Sequence, residues 1–294
     1  MIDKAIVIAA LARDCNRALR ANIPRVERLR SYFAHSRVVV VENDSKDGTK
    51  ETLKDWAARC DGVELIMHDF GSVTIPTASA KNPYPSTSLF RIEKMARYRN
   101  MYMEYVRNLE VQPDYLVLLD LDVVSFSVEG IVQAIGTAPE GWGALFANGR
   151  RYFHHLFPYY FDLYAYLPMG CEVYDRKNDE LFYESKRITR MVRHQEFVPC
   201  LSAFGGIGVY RWEAVRALSY QALPNTRSRI FEAVCEHVPF NLSVTKQGYG
   251  CYVCRRMYVN YGTRSWRHLF IYSLLPTRWY QWLYKRIKGV EYGD

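Results

Sequence analysis

The sequence predicts an α/β fold, an open and mostly parallel sheet flanked by helices. Three observations carry that expectation. Apolar runs at 5–12, 37–42 and 115–119 are nearly continuous in Ile, Val, Leu and Ala, the pattern of strands covered on both faces. Segments 15–33, 50–59 and 91–107 lie between or beside these runs and space their apolar residues as helices do. Polar turns fall at the carboxyl ends of the runs, where open parallel sheets bind their ligands.

In chain order, 5–12 is the first strand. It is short, follows Asp3 and lacks a cleavage signature, so it reads as a buried strand and not as a leader. Residues 15–33 form a helix and 37–42 a second strand. The turn at 43–49 (Asn-Asp-Ser-Lys-Asp-Gly-Thr) leads into a helix over 50–59, because Asp, Gly and Thr supply turn and cap chemistry. Residues 62–68 are a third strand, 70–88 a loop rich in Pro, Ser and Thr, 91–107 a helix, and 115–119 a fourth strand. The second half is less regular. Residues 150–168 are crowded with aromatics, 175–195 reads as part loop and part helix, and 202–210 carries glycines. Residues 231–247 read as a helix around Cys235-Glu236-His237, and 249–258 as a strand. With no repeat or low-complexity linker, one domain over 1–294 is expected. It divides into a first half over 1–124, a second over 125–263 and a tail over 264–294.

Hydrophobic residues are 49 % of the 294 and charged residues 24 %, which excludes a disordered, collagen-like or long coiled-coil chain. There are 39 Lys and Arg against 31 Asp and Glu, a net charge of +8, and 23 tyrosines. That balance suits a nucleotide, a nucleic acid or a membrane surface. No segment approaches the roughly 18 apolar residues of a membrane span, and no nucleic-acid motif is present. The seven cysteines are odd in number and scattered, which suits free thiols in a reducing, cytoplasmic compartment. Cys251 and Cys254 form the single C-x-x-C. On a strand they face opposite ways, a poor chelating geometry.

Asp120-Leu121-Asp122 follows the fourth apolar run. Carboxylates two apart at a strand end point the same way and can hold a divalent cation, which in turn grips phosphates; a helix cap is the plainer alternative. Glu42 and Asp44, at the end of the second strand, can bond a ribose or base, or simply cap the following helix. Gly205 and Gly206 allow close backbone approach to a sugar or a tight turn. Arg91, Arg97 and Arg99 can reach phosphates from their helix, Arg97 and Arg99 foremost. The adjacent His154 and His155 diverge on any regular element. From Arg264 to Lys288 there are six basic residues, no acid and seven aromatics beginning at Trp266. This suits either an anionic membrane surface or a docked terminal helix.

Taken in order, these motifs resemble the nucleotide-sugar glycosyltransferases of the GT-A fold. The strand ending at Glu42 with its Asn-Asp-Ser-Lys-Asp-Gly-Thr turn resembles their second-strand motif. Ala96-Arg97-Tyr98-Arg99-Asn100 ahead of Asp120-Leu121-Asp122 resembles their helix and D-x-D motif, and Phe204-Gly205-Gly206 their glycine loop. Among subfamilies the chain is most similar to the fungal capsule-associated α-1,3-mannosyltransferases.

The resemblance implies a GT-A domain with a Rossmann-like nucleotide-binding half and an irregular acceptor half. It implies Mn2+ or Mg2+ on Asp120 and Asp122, with His268 completing the site. A GDP-mannose or UDP-sugar donor would meet Ala10, Arg13, Glu42, Asp44, Arg97, Arg99, Asp120, Gly205 and Gly206. The acceptor would be a glycan or lipid-linked glycan, with a peripheral membrane contact through 264–288. Where the family carries a Glu-Asp pair this chain has Glu236-His237. Either Glu236 is the general base or orients the acceptor, or the enzyme retains configuration and needs no such base. Two other classes compete. A sugar-nucleotide-forming nucleotidyltransferase expects a glycine-rich basic loop after the first strand, and residues 9–13 hold no glycine. A non-enzymatic basic membrane module leaves Asp120 and Asp122 unexplained.

Overall fold

The computed structural model describes residues 2–73, 75–76, 85–153, 157–171, 178–226 and 231–264. His154, His155, His268 and the tail beyond Arg264 lie outside them.

The first half runs β1 (Ile2–Ala12), α1 (Asn16–Arg30), β2 (Phe33–Asn43), α2 (Thr49–Arg59), β3 (Val63–His68), α3 (Leu89–Arg107) and β4 (Tyr115–Asp120). The second runs β5 (Ser125–Phe126), α4 (Val128–Thr137), β6 (Trp142–Phe153), β7 (Phe157–Tyr160), β8 (Leu167–Pro168), α5 (Asn178–His194), β9 (Phe197–Ser202) and β10 (Ile207–Arg211). It continues through α6 (Trp212–Val215), β11 (Leu223–Pro224), β12 (Ala233–Val234), α7 (His237–Lys246) and β13 (Gly250–Arg264). Among the described residues one open sheet has the order β3-β2-β1-β4-β10-β6-β13-β9-β8, with β5 on β13 and β7 on β6. The strands of the first half are all parallel. The second half joins through β10, antiparallel to both β4 and β6, while β6 and β13 are parallel.

The apolar runs are covered on both faces, as their composition requires. In β1, Val7 and Ala9 enter one core while Ile6, Ile8 and Ala10 enter the other; β4 divides Leu116 and Leu118 from Val117 and Leu119 in the same way. Helices α1, α2 and α4 cover one face through Leu19, Leu53, Trp56 and Ile131. Helices α3, α5 and α7 cover the other through Tyr102, Met103, Ile188 and Phe240. Cys251 and Cys254 fall in opposite cores, so the C-x-x-C is two packed thiols, and all seven cysteines are free.

Two expectations need correction. The helix expected over 231–247 begins only at His237. Ala233 and Val234 instead pair with β11 in a small two-stranded sheet, and a cross-strand partner outweighs helical spacing. The strand expected over 37–42 begins at Phe33, because residues 33–37 pair with β1 alone and leave polar side chains exposed. No described helix is long and apolar enough to cross a membrane.

Candidate active site

A cleft of about 510 Å3 opens at the carboxyl ends of β1 and β4. Helix α3 supplies one wall. Arg91, Met95, Tyr98 and Arg99 recur at helical spacing and all line the cleft. Ser88 caps the helix by accepting the Arg91 amide, which fixes where that face begins.

Asp120 ends β4, and Asp122 follows in the turn; both line the cleft. Asn22 of α1 is fully buried and braces this turn. Its amide donates to the carbonyls of Leu121 (3.2 Å) and Val123 (2.7 Å). Loss of water drives the Asp120 carboxyl up to about 8, with the charge of Asp122 adding and Arg99 opposing. Asp122 is raised too, by loss of water against the pull of Arg91 and Arg99.

Glu236 precedes α7 but does not cap it. Its carboxylate turns to Arg99, whose Nε donates at 3.0 Å, with both side chains about 95 % buried. The thiol of Cys235 donates to the second oxygen at 3.7 Å. Arg99 also donates to the Tyr102 hydroxyl at 3.1 Å and lies over the Phe204 and Tyr220 rings. His237 stacks on Phe204 at 3.9 Å, and its Nδ1 is 3.4 Å from the Tyr220 hydroxyl. Burial, with Arg99 adding, holds its imidazole well below the ordinary value, so it is neutral.

The glycine loop places backbone. Gly205 has φ +63°, and a Cβ there would meet the Ala147 carbonyl at 2.2 Å; Gly206 has φ +88° and packs on Tyr261. Both glycines are therefore required by the sheet itself. Their backbone does reach the site. The Gly205 N–H donates to Asp162 at 2.9 Å, and the Gly206 carbonyl accepts from the Asp120 N–H. Asn241 of α7 accepts from the Tyr210 hydroxyl and donates to Ser202 and the Ala203 carbonyl, tying α7 to this loop.

The other positions spread more widely. Ala10 packs in the core between Val40 and Leu119, and the strand-end contacts pass to Leu11, Ala12 and Arg13. Arg13 donates to the Ser72 carbonyl at 3.0 Å and lies 3.6 Å from Asp44. Glu42 is fully buried and accepts from the Ser45 N–H at 2.8 Å; it does not line the cleft. Asp44 has φ +55° and accepts from Asn43, the Gly71 N–H and Ser72. Burial pushes its carboxyl up, but these donors and Arg13 bring it below the usual range. Arg97 lies away from the cleft, over the Phe70 ring and on a separate groove beside Glu93 and Glu104. Arg91 lines the cleft, and its buried Nε has no hydrogen-bond partner. Asp162 and Tyr261 are among the cleft residues that escaped sequence reasoning. Asp162 is the single acid within the aromatic block 152–166, a signal that was available. Its carboxyl is raised by burial, against the Gly205 and Ala165 amides.

The donor set suits a hard divalent cation. Asp120 and Asp122 offer carboxylate oxygens side by side at the end of β4, the oxygen donors that such a cation prefers. No described group of three or more His, Cys, Asp and Glu side chains forms a metal cluster.

The chain shows the GT-A fold. It superposes on the mannosyltransferase PcManGT from Pyrobaculum calidifontis, solved with GDP-Man and Mn2+, with a TM-score of 0.50 at 12 % identity. The match covers 88 % of this chain and 57 % of that one. S. aureus TarS (residues 1–349) gives 0.45 at 10 % identity, covering 88 % and 60 %. Glucosyl-3-phosphoglycerate synthase from Mycobacterium tuberculosis with UDP gives 0.42 at 11 %, covering 90 % and 72 %. The chain thus spans under two thirds of the first two. No curated protein matches it. Residues 5–239 match the family described as Cryptococcal mannosyltransferase 1, a span holding every cleft residue above except Tyr261. The chain belongs to that family of glycosyltransferases.

Proposed function

We propose that the protein transfers a sugar from a nucleoside-diphosphate sugar, GDP-mannose or a UDP-sugar, to a glycan or lipid-linked glycan. The observation that carries this reading is the braced Asp120/Asp122 turn facing a cleft with an unsatisfied Arg91 donor. Family membership supports sugar transfer. The shared fold with a mannosyltransferase solved with GDP-Man and Mn2+ supports the donor class.

Asp120 and Asp122 would hold the cation, Mn2+ or Mg2+. When bound, such a cation neutralises charge on the leaving diphosphate. Arg91 offers its free Nε to a phosphate oxygen, and Arg13 flanks the same strand end. Arg99 orients Glu236 toward the acceptor side and offsets its charge. Asp162, held by the Gly205 amide, offers a second acceptor-side carboxylate. Phe161, Tyr164, Phe204 and Tyr261 present aromatic surface to sugar rings. His237 is neutral and tied to Tyr220, so it orients its neighbours. Segment 264–288, with six basic residues and no acid, supports contact with an anionic lipid surface.

Calorimetry with GDP and UDP, with and without Mn2+, tests the reading. Metal-dependent binding of one nucleotide is expected, and Asp122→Ala should abolish it and transfer while leaving the melting transition in place. Nucleotide binding indifferent to metal and to Asp122 would overturn it. A screen of donor sugars for nucleotide release, followed by NMR of the new linkage, then names the sugar and the stereochemistry.

A further inference from the structure

A second, smaller cavity of about 210 Å3 lies one step along the chain from the cleft. Asn148 and Arg150 of β6, Tyr159 of β7, Thr189 and Arg193 of α5, and Arg255 of β13 line it. Three arginines from three elements thus line one cavity, and no acidic residue lines it. Among the described residues none of these arginines forms an ion pair. Glu184 on α5 and Glu196 before β9 hold other arginines, Arg187 and Arg256, and Asp162 faces the larger cleft, where it accepts from the Gly205 N–H.

Arg150 is preset. It stacks 4.9 Å over the Tyr258 ring, and its Nη2 donates to the Arg255 carbonyl at 3.4 Å. With the Asn148 amide oxygen turned toward it, Asn148 accepts from Arg150 Nε at 3.1 Å and Nη2 at 3.0 Å. Asn148 is itself 3 % exposed. Gathering like charges around one small cavity costs free energy that an anion restores. Arginine forks match the paired oxygens of carboxylate and phosphate.

We propose that this cavity is an anion subsite that holds a carboxylate or phosphate group carried by the acceptor. Tyr159 and Tyr160 line it, while the next two residues, Phe161 and Asp162, line the cleft. A residue advances at most about 3.5 Å, so the Cα atoms of Tyr160 and Asp162 lie within about 7 Å. The two linings adjoin at Tyr160 and Phe161, which is the ground for assigning the anion to the acceptor. Only the identity of the molecule bearing the anion rests on the sugar-transfer reading; the anion binding itself does not.

The test uses the full chain in metal-free, low-salt buffer, titrated with D-galacturonate, inorganic phosphate and neutral D-galactose. Arginine Nε–Hε NMR signals report the binding. Saturable shifts at Arg150, Arg193 and Arg255 are expected with an anion and none with D-galactose. Affinity should fall at least tenfold in the double variant Arg193→Gln/Arg255→Gln, which alters two exposed side chains; Arg193→Gln alone serves if the pair harms folding. Tighter galacturonate binding assigns an acidic sugar, and tighter phosphate binding a phosphorylated one. Shifts with neither anion, or equal affinity in the variants, would overturn the subsite. If Asp122→Ala leaves nucleotide binding untouched while the anion still binds here, the sugar-transfer reading fails and the subsite stands.

Discussion

Arg99 and Glu236 form an ion pair that is about 95 % buried on both sides. Such pairs gain little over an apolar substitute, because desolvation offsets their attraction; breaking one is costly, since the partner is left charged in the interior. Arg99→Met should therefore lower unfolding free energy by about 3–5 kcal/mol. Arg99→Met/Glu236→Gln should recover a large part of that in urea denaturation, and a loss in the double variant equal to the sum of the singles would show that the two do not couple. His237 carries a pH dependence of known sign. Its folded value lies below its unfolded one, so the unfolded chain binds the extra proton as pH falls below about 6.5. The contribution of His237 is complete above that value and drops at up to about 1.4 kcal/mol per pH unit beneath it, against the raised carboxyls of Asp120 and Asp162, whose contribution grows as pH falls. His237→Phe should therefore make the melting temperature fall less, or rise, between pH 7 and pH 5 relative to the parent chain, and an unchanged slope would remove His237 as a source. At this scale the sequence was only partly legible. Arg97 and Arg99 look equivalent in a row of letters, yet two helical positions lie on different faces, and only Arg99 reaches the cleft.

The strand–helix pattern of the first half was readable because each strand is buried on both faces, and burial writes itself as an apolar run. The misreadings occur where pairing, not burial, decides. Phe231, Val234 and Val238 have helical spacing, but Val234 bonds to Leu223 across a two-stranded sheet and Phe231 packs on Tyr164. Similarly, the exposed start of β2 carries no apolar signal. The brace between α1 and the turn after β4 was invisible for another reason. Asn22 and Leu121 are 99 positions apart, and an asparagine inside a helix gives no hint of a partner there. Asn22→Leu keeps the branched shape with somewhat more bulk and removes both hydrogen bonds to the turn, leaving two carbonyls without this donor. A stability loss of about 1–3 kcal/mol follows. Because the brace sets the direction of Asp120 and Asp122, Mn2+-dependent nucleotide binding should weaken by about 10–100-fold, the range seen when groups behind metal ligands are removed. Calorimetry separates the two effects: lost stability with unchanged metal dependence would mean that the brace serves the fold alone.

At the scale of the molecule, the two halves share both cores. One contains Val7, Leu116 and Tyr102 beside Tyr210, Phe240 and Val253; the other joins Ile8 and Val117 to Leu145, Val209 and Val259. Strand β10 is the seam, bonded to β4 on one edge and β6 on the other. The site is divided in the same way, with Asp120, Asp122 and Arg99 from the first half and Asp162, Phe204 and Glu236 from the second. A first half that folded alone and recruited the second half later would need a closed β4 edge and a covered α3. Neither exists without the second half, because Arg99 would lose its ion pair with Glu236 and Leu116 and Leu118 would lose β10. An open, apolar strand edge is also a template for aggregation. The fragment 1–124 is therefore expected to lack a cooperative melting transition and to associate, while the full chain melts with its two halves together. Circular dichroism and NMR of the fragment decide the matter. A dispersed spectrum and a sharp transition would show that residues 1–124 are an autonomous domain, and the shared core would then be an interface between two domains.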